Sequence, residues 1–166
     1  MARYAEKLHI IPLLAPVSST DAVAISNAVN LENAHWVSFL VNWGAITGDT
    51  EKLVVSVEAS TQGAATTNSA DTAIPFVYRL SSTLAADNWG DSTTCASTGL
   101  EILGTNDSMA LIIDVDPAAI PALDADATYV HVILDGTGLA TNAGMSVYAL
   151  MEDRYPQAEH VSSTVT

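Results

Sequence analysis

The 166 residues are enough for one domain with one core, and nothing in the length asks for a second. Nineteen acidic side chains against five basic ones leave a net charge of −14, a surface that repels phosphate backbones, so nucleic acid is excluded as an expected partner. A single cysteine, Cys95, rules out an internal disulfide, and no segment approaches the roughly 20 apolar residues of a membrane span.

Arg3 and Lys7 precede a short apolar run, Leu8 to Leu14, that is broken by His9 and Pro12 and followed by no Ala-x-Ala cleavage pattern. A secreted leader is therefore not expected, and the chain reads as soluble and made in a cytoplasm. Pro12 and Pro16 withhold backbone donors, which places this stretch on a sheet edge or in an arm over residues 1–16. With Glu6 counted, the first seven positions are net +1, so a near-neutral lead-in precedes an acidic body.

Residues 22–29 alternate weakly and predict a short strand. From 35 to 59 the pattern is strong. Val37, Phe39, Val41 and Trp43 alternate with Ser38 and Asn42, and Leu53, Val55 and Val57 alternate with Ser56 and Glu58. This is the period-two signature of strands with one buried face. Gly44, Gly48 and Asp49 between them predict a reversal using positive φ, and hence an antiparallel hairpin.

Residues 60–72 hold no large apolar side chain and predict a solvated loop. Residues 74–80 return as a strand with Pro75 near its start. The polar stretch 81–98, which carries Asp87, Trp89, Asp91 and Cys95, reads as an exposed loop or lid. Strands follow at 99–103 and 109–115, the second nearly apolar and hence central. Asp116 then caps a helical turn with Pro117 at its first position and Pro121 as its stop. The last strands fall at 128–134 and 145–151. A polar tail occupies 154–166, leaving 17–153 as the domain proper.

About eight strands without useful helical periodicity predict an all-β fold, an antiparallel β-sandwich of jelly-roll type, with an extended N-terminal arm. Chemistry is less legible. Asp114, Asp116, Asp124 and Asp126 bracket one loop and Asp87 and Asp91 another, but neither has the spacing of an EF-hand loop, so solvated acidic surface is the expectation. His35 and His131 both lie in strands and could meet around a metal with an aspartate, although a histidine flanking the core is the simpler reading. No Gly-x-Ser-x-Gly elbow and no glycine-rich phosphate loop occurs, and Cys95 has no adjacent positive charge to activate it. The reading is a non-enzyme with no catalytic residues, no cofactor and no metal. Trp36 and Trp43 have opposite strand parity, so one belongs to the core and the other is free for an interface. Trp89, set between Asp-Asn and Gly-Asp, reads as a recognition or oligomer-contact residue.

Two stretches, Met1-Ala-Arg-Tyr-Ala-Glu-Lys-Leu-His-Ile-Ile-Pro-Leu-Leu-Ala-Pro16 and Asn33-Ala-His-Trp-Val-Ser-Phe-Leu-Val-Asn-Trp-Gly-Ala-Ile-Thr-Gly-Asp49, about a fifth of the chain, resemble small head structural proteins of tailed bacteriophages, the capsid decoration or cement proteins. The resemblance implies a β-rich homo-oligomer, often a trimer, seated on the capsid exterior of the virion at threefold positions. Its partners would be copies of itself and the major capsid protein, and it would be synthesised in the host bacterial cytoplasm. It implies no active site, and it implies a terminal arm that reaches over a neighbour, here carrying Arg3, Tyr4 and Lys7. With Trp36 and Trp89 these are the expected interaction residues. The alternative is a carbohydrate- or other ligand-binding sandwich module of a phage tail or fibre, with Trp89 and the loop aspartates as its site.

Overall fold

The computed structural model describes residues 8–19, 22–46, 51–63, 71–82, 87–106, 109–139 and 143–154. Twelve strands are present among them: β1 (His9–Ser19), β2 (Val23–Ile25), β3 (Val29–Asn30), β4 (Ala34–Trp43), β5 (Lys52–Ser60), β6 (Thr72–Ala73), β7 (Phe76–Leu80), β8 (Thr93–Cys95), β9 (Leu100–Leu103), β10 (Ala110–Val115), β11 (Tyr129–Asp135) and β12 (Ala143–Asp153). One sheet runs β1-β12-β4-β10-β7-β8. The other runs β2-β11-β5-β6, with β3 also on β11 and β9 also on β5. Every pairing is antiparallel.

Eight principal strands emerge if β2 and β3 are taken as one interrupted strand along β11. They form two packed four-strand layers, β1-β12-β4-β10 against β2/β3-β11-β5-β9, and the chain changes sheet at nearly every connection. That is jelly-roll order, and the excursion β6–β8 widens the first sheet beyond it.

Alternation does the folding work. Along most of β4, β5, β10 and β12 buried apolar positions recur with period two, and the positions between them are half-buried or exposed and carry polar side chains together with Leu40, Val54, Ile112 and Leu150. Val37, Phe39, Val41, Leu111, Ile113, Val147 and Ala149 from one sheet meet Leu53, Val55, Val57, Val130, Val132 and Leu134 from the other in a single core. Each fully buried aliphatic or aromatic side chain there contributes roughly 1.5–3 kcal/mol of transfer free energy. Trp43 is 4% exposed, and its indole N–H donates to the Asn106 carbonyl at 2.9 Å, so the buried ring leaves no polar atom unpaired. Of the two parity-opposed tryptophans, Trp43 is the core residue.

The sequence reading needs correction at several places. β4 and β5 are strands, but they do not form a hairpin: β4 pairs β10 and β12, while β5 pairs β11, β9 and β6. The alternation fixes which face each strand buries and leaves its partner open, and these two face one another across the core. Gly44 serves close approach instead of positive φ. Its N–H donates to the Gly144 carbonyl at 2.8 Å, and a Cβ would stand 3.3 Å from the Gly144 nitrogen. Gly48 and Asp49 lie outside the described residues. Positive φ falls instead on Gly138 and Gly99, both at +90°, and at Gly99 a side chain would also press on Val54 and Val55 as the chain enters β9.

The boundary expected between residues 16 and 17 is crossed by β1. Of the two readings for that segment, residues 9–16 form an edge strand, pairing β12 from His9↔Met151 to Ser19↔Ala143. Both register shifts fall at the prolines, one between Pro12 and Leu14 and one between Leu14 and Val17, where the missing N–H breaks the ladder. The 81–98 stretch is not a simple loop, because β8 inside it pairs β7. The Asp116 cap forms as expected, its carboxylate accepting from the Ala118 N–H at 2.9 Å over a 3-10 turn, Pro117–Ala119. Pro121, however, lies in the first turn of the short helix α1 (Ile120–Leu123) and does not stop it, since proline is tolerated where no intrahelical N–H bond is required.

Candidate functional site

A groove of about 440 Å³ lies at one end of the first sheet. Strand parity on β4 turns Trp36 out of the core, and the groove gathers it with Pro75 and Phe76 at the start of β7, Thr94 on β8, and Ile120 and Leu123 from α1. Trp36 is 39% exposed and Leu123 is also open to solvent, whereas Ile120 is buried beneath them. The lining is mostly apolar. Two of its polar residues are engaged within the fold: Asp114 accepts a hydrogen bond from the Ser38 hydroxyl at 2.6 Å and lies 3.5 Å from the Trp36 indole nitrogen, and Asp116 is the cap described above. Such a surface is suited to binding by burying apolar area. A second hollow of about 410 Å³, lined by Leu31, Pro117, Pro121, Tyr129 and Arg154 among others, lies beside it and shares Ile120.

Trp89 is equally exposed but does not line the groove. Its backbone bridges to Ser81, and the following Gly90 N–H donates to the Leu80 carbonyl at 2.8 Å, so the loop that carries it is tied to the end of β7. The structure therefore does not bring the two candidate tryptophans into one site. Arg3, Tyr4 and Lys7 lie outside the described residues.

The loop aspartates behave as caps and turn-makers. Asp124 accepts from the Thr72 hydroxyl at 2.8 Å and from the Asp126 N–H at 3.2 Å. Asp87 and Asp91 are exposed. His35 is exposed on β4 and His131 is buried on β11, in opposite sheets, so the metal-binding pairing weighed as the alternative for these two histidines is not made. Cys95 is buried on β8 opposite Phe76, and burial pushes its thiol pKa up, away from the thiolate form.

One constellation among the described residues was not anticipated from the sequence. His131, Glu58 and Asp71 each present a ligating atom within 4.8 Å of the others. His131 and Glu58 are direct cross-strand partners on β11 and β5. Asp71 stands two residues before Ala73, which is Glu58's partner on β6, so the pleat turns all three to the face away from the core. His131 is nonetheless 0% exposed. Burial pulls its imidazole below the usual pKa, outweighing the opposite pull of the Glu58 and Asp71 carboxylates. The available signal was a histidine at an outward strand position, but its partner depended on the register between β5 and β11, which no local pattern encodes.

Comparison with protein-family models, with curated proteins and with solved structures finds no match to the chain.

Proposed function

We propose that this chain is a virion structural protein that binds the outside of an assembled phage capsid, as a trimer at threefold positions, and stabilises the shell. The observation that carries the reading is the apolar groove around exposed Trp36 and Leu123, which is suited to burying a neighbour's side chains. The likeness of residues 1–16 and 33–49 to decoration proteins supplies the kind of neighbour, and Trp36 lies within the second of those stretches. A net charge of −14 suits a surface that must stay soluble when many copies are crowded together. Three copies acting together would gain avidity from contacts that are individually weak.

Light scattering on the size-exclusion peak and co-sedimentation with heads of the encoding phage test the proposal. A trimer that pellets with heads, and pellets less after Trp36→Ala or deletion of residues 1–7, is the expected result. A monomer that stays in the supernatant at every concentration refutes it. The second reading, a glycan-binding module, rests on Trp89, an exposed ring on a loop rich in Asp and Asn. Glycan-array binding that disappears in Trp89→Ala would favour it over the first.

A further inference from the structure

We infer that Glu58, Asp71 and His131 form a binding site for one divalent transition-metal ion of the Zn²⁺ type, clamping the β11-β5-β6 side of the second sheet. Three observations converge on it. The ligating atoms lie within 4.8 Å of one another. The His131 side chain is fully buried, yet among the described residues neither ring nitrogen has a hydrogen-bond partner, an arrangement that is costly for a buried polar group. Finally, His131 Nε2 and Glu58 Oε2 stand 3.5 Å apart. That is too long for a well-formed hydrogen bond. It is close to the ~3.3 Å that separates two ligands each ~2.0–2.1 Å from a tetrahedral Zn²⁺.

The donor set selects the ion. An imidazole nitrogen with two carboxylates suits Zn²⁺ and its first-row neighbours, while Ca²⁺ wants six to eight oxygens and Mg²⁺ retains its water shell. Two carboxylates also balance the two charges of the ion, which matters at a site where His131 is sealed from water. Burial favours the neutral imidazole, the form that ligates. Asp71 is the residue through which the chain re-enters the sheet at β6, so an ion here would tie that re-entry to the β5-β11 pair. Three protein ligands would leave the fourth position of a tetrahedral ion to water.

The site is independent of the capsid proposal, and neither stands or falls with the other. Isothermal titration of the full chain with Zn²⁺, after chelator treatment and dialysis, should give one site per chain and a melting midpoint that rises with Zn²⁺. Co²⁺ in its place should give the visible absorption of a four-coordinate N/O site. Asp71→Asn and His131→Gln should each weaken Zn²⁺ binding at least 10-fold, as loss of one of three ligands requires, while Asp116→Asn leaves it unchanged. Should His131→Gln fail to fold, the half-buried Asp71→Asn decides alone. Binding that survives Asp71→Asn, a stoichiometry well below one, or equal affinity for Ca²⁺ would mark general attraction to an acidic surface and overturn the assignment.

Discussion

If β1 belongs to the sandwich, substitutions along it must follow the pleat, and Leu13→Ala is the sharpest case. Leu13 is 3% exposed and joins the core, while its carbonyl accepts from the Asn27 N–H at 3.0 Å and so links this edge to the chain leaving β2. Truncating a buried leucine costs about 2–5 kcal/mol, and the value falls where the surroundings can close over the void. An edge strand with two register shifts can relax more than a central one, which places Leu13→Ala at about 2–3 kcal/mol. For a chain of this size that lowers the melting midpoint by about 4–12 °C. Ile11→Ala, also buried, should behave alike. Ile10→Ala, 46% exposed, should stay within about 0.5 kcal/mol. Urea melts of the three variants decide the matter. An arm lying free of the domain would give three equal and negligible effects, and a Leu13→Ala melt indistinguishable from Ile10→Ala would refute the edge-strand assignment. By the same reasoning, deletion of residues 1–16 removes Ile11 and Leu13 and bares β12, so it should destabilise the domain, not merely trim it.

Trp43→Ala removes a buried ring together with its hydrogen bond to the Asn106 carbonyl and should cost about 3–5 kcal/mol in denaturant melts, with a loss under about 1 kcal/mol contradicting its core placement. Ser26 is fully buried where the strand along β11 is interrupted. Its hydroxyl accepts from the Val132 N–H at 3.0 Å and donates to the Asn27 carbonyl at 3.0 Å. Ser26→Ala orphans that N–H and should cost about 1–3 kcal/mol, whereas Ser82→Ala, exposed, serves as the neutral control. Cys95, buried with a raised thiol pKa, should react with a thiol reagent at pH 8 far more slowly in the native protein than in urea, and equal rates would place it on the surface.

What the sequence discloses and what it withholds divide along a physical line. Burial of one face requires alternation, so Val37-Phe39-Val41-Trp43 and Leu53-Val55-Val57 announce their strands and their inward sides, and Asp116-Pro117 announces a cap because a carboxylate and a ring without N–H serve the same helix start. Partner choice is different. It is set by the long-range docking of two sheets, and a glycine-containing connection such as 44–51 is equally consistent with a hairpin and with a crossing between layers. The Glu58–Asp71–His131 cluster depends on two of these unannounced partnerships at once, β5 with β11 and β5 with β6. A one-residue slip in either would point one ligand into the core and dissolve the site. The groove at Trp36 depends on less, because parity alone turns that ring outward, and only its companions Phe76, Ile120 and Leu123 had to wait for the fold. Sites whose residues share one strand or one turn are therefore legible early, and sites assembled across register are not. For this chain, that makes the cation site more sensitive than the groove to anything that shifts β11 along β5.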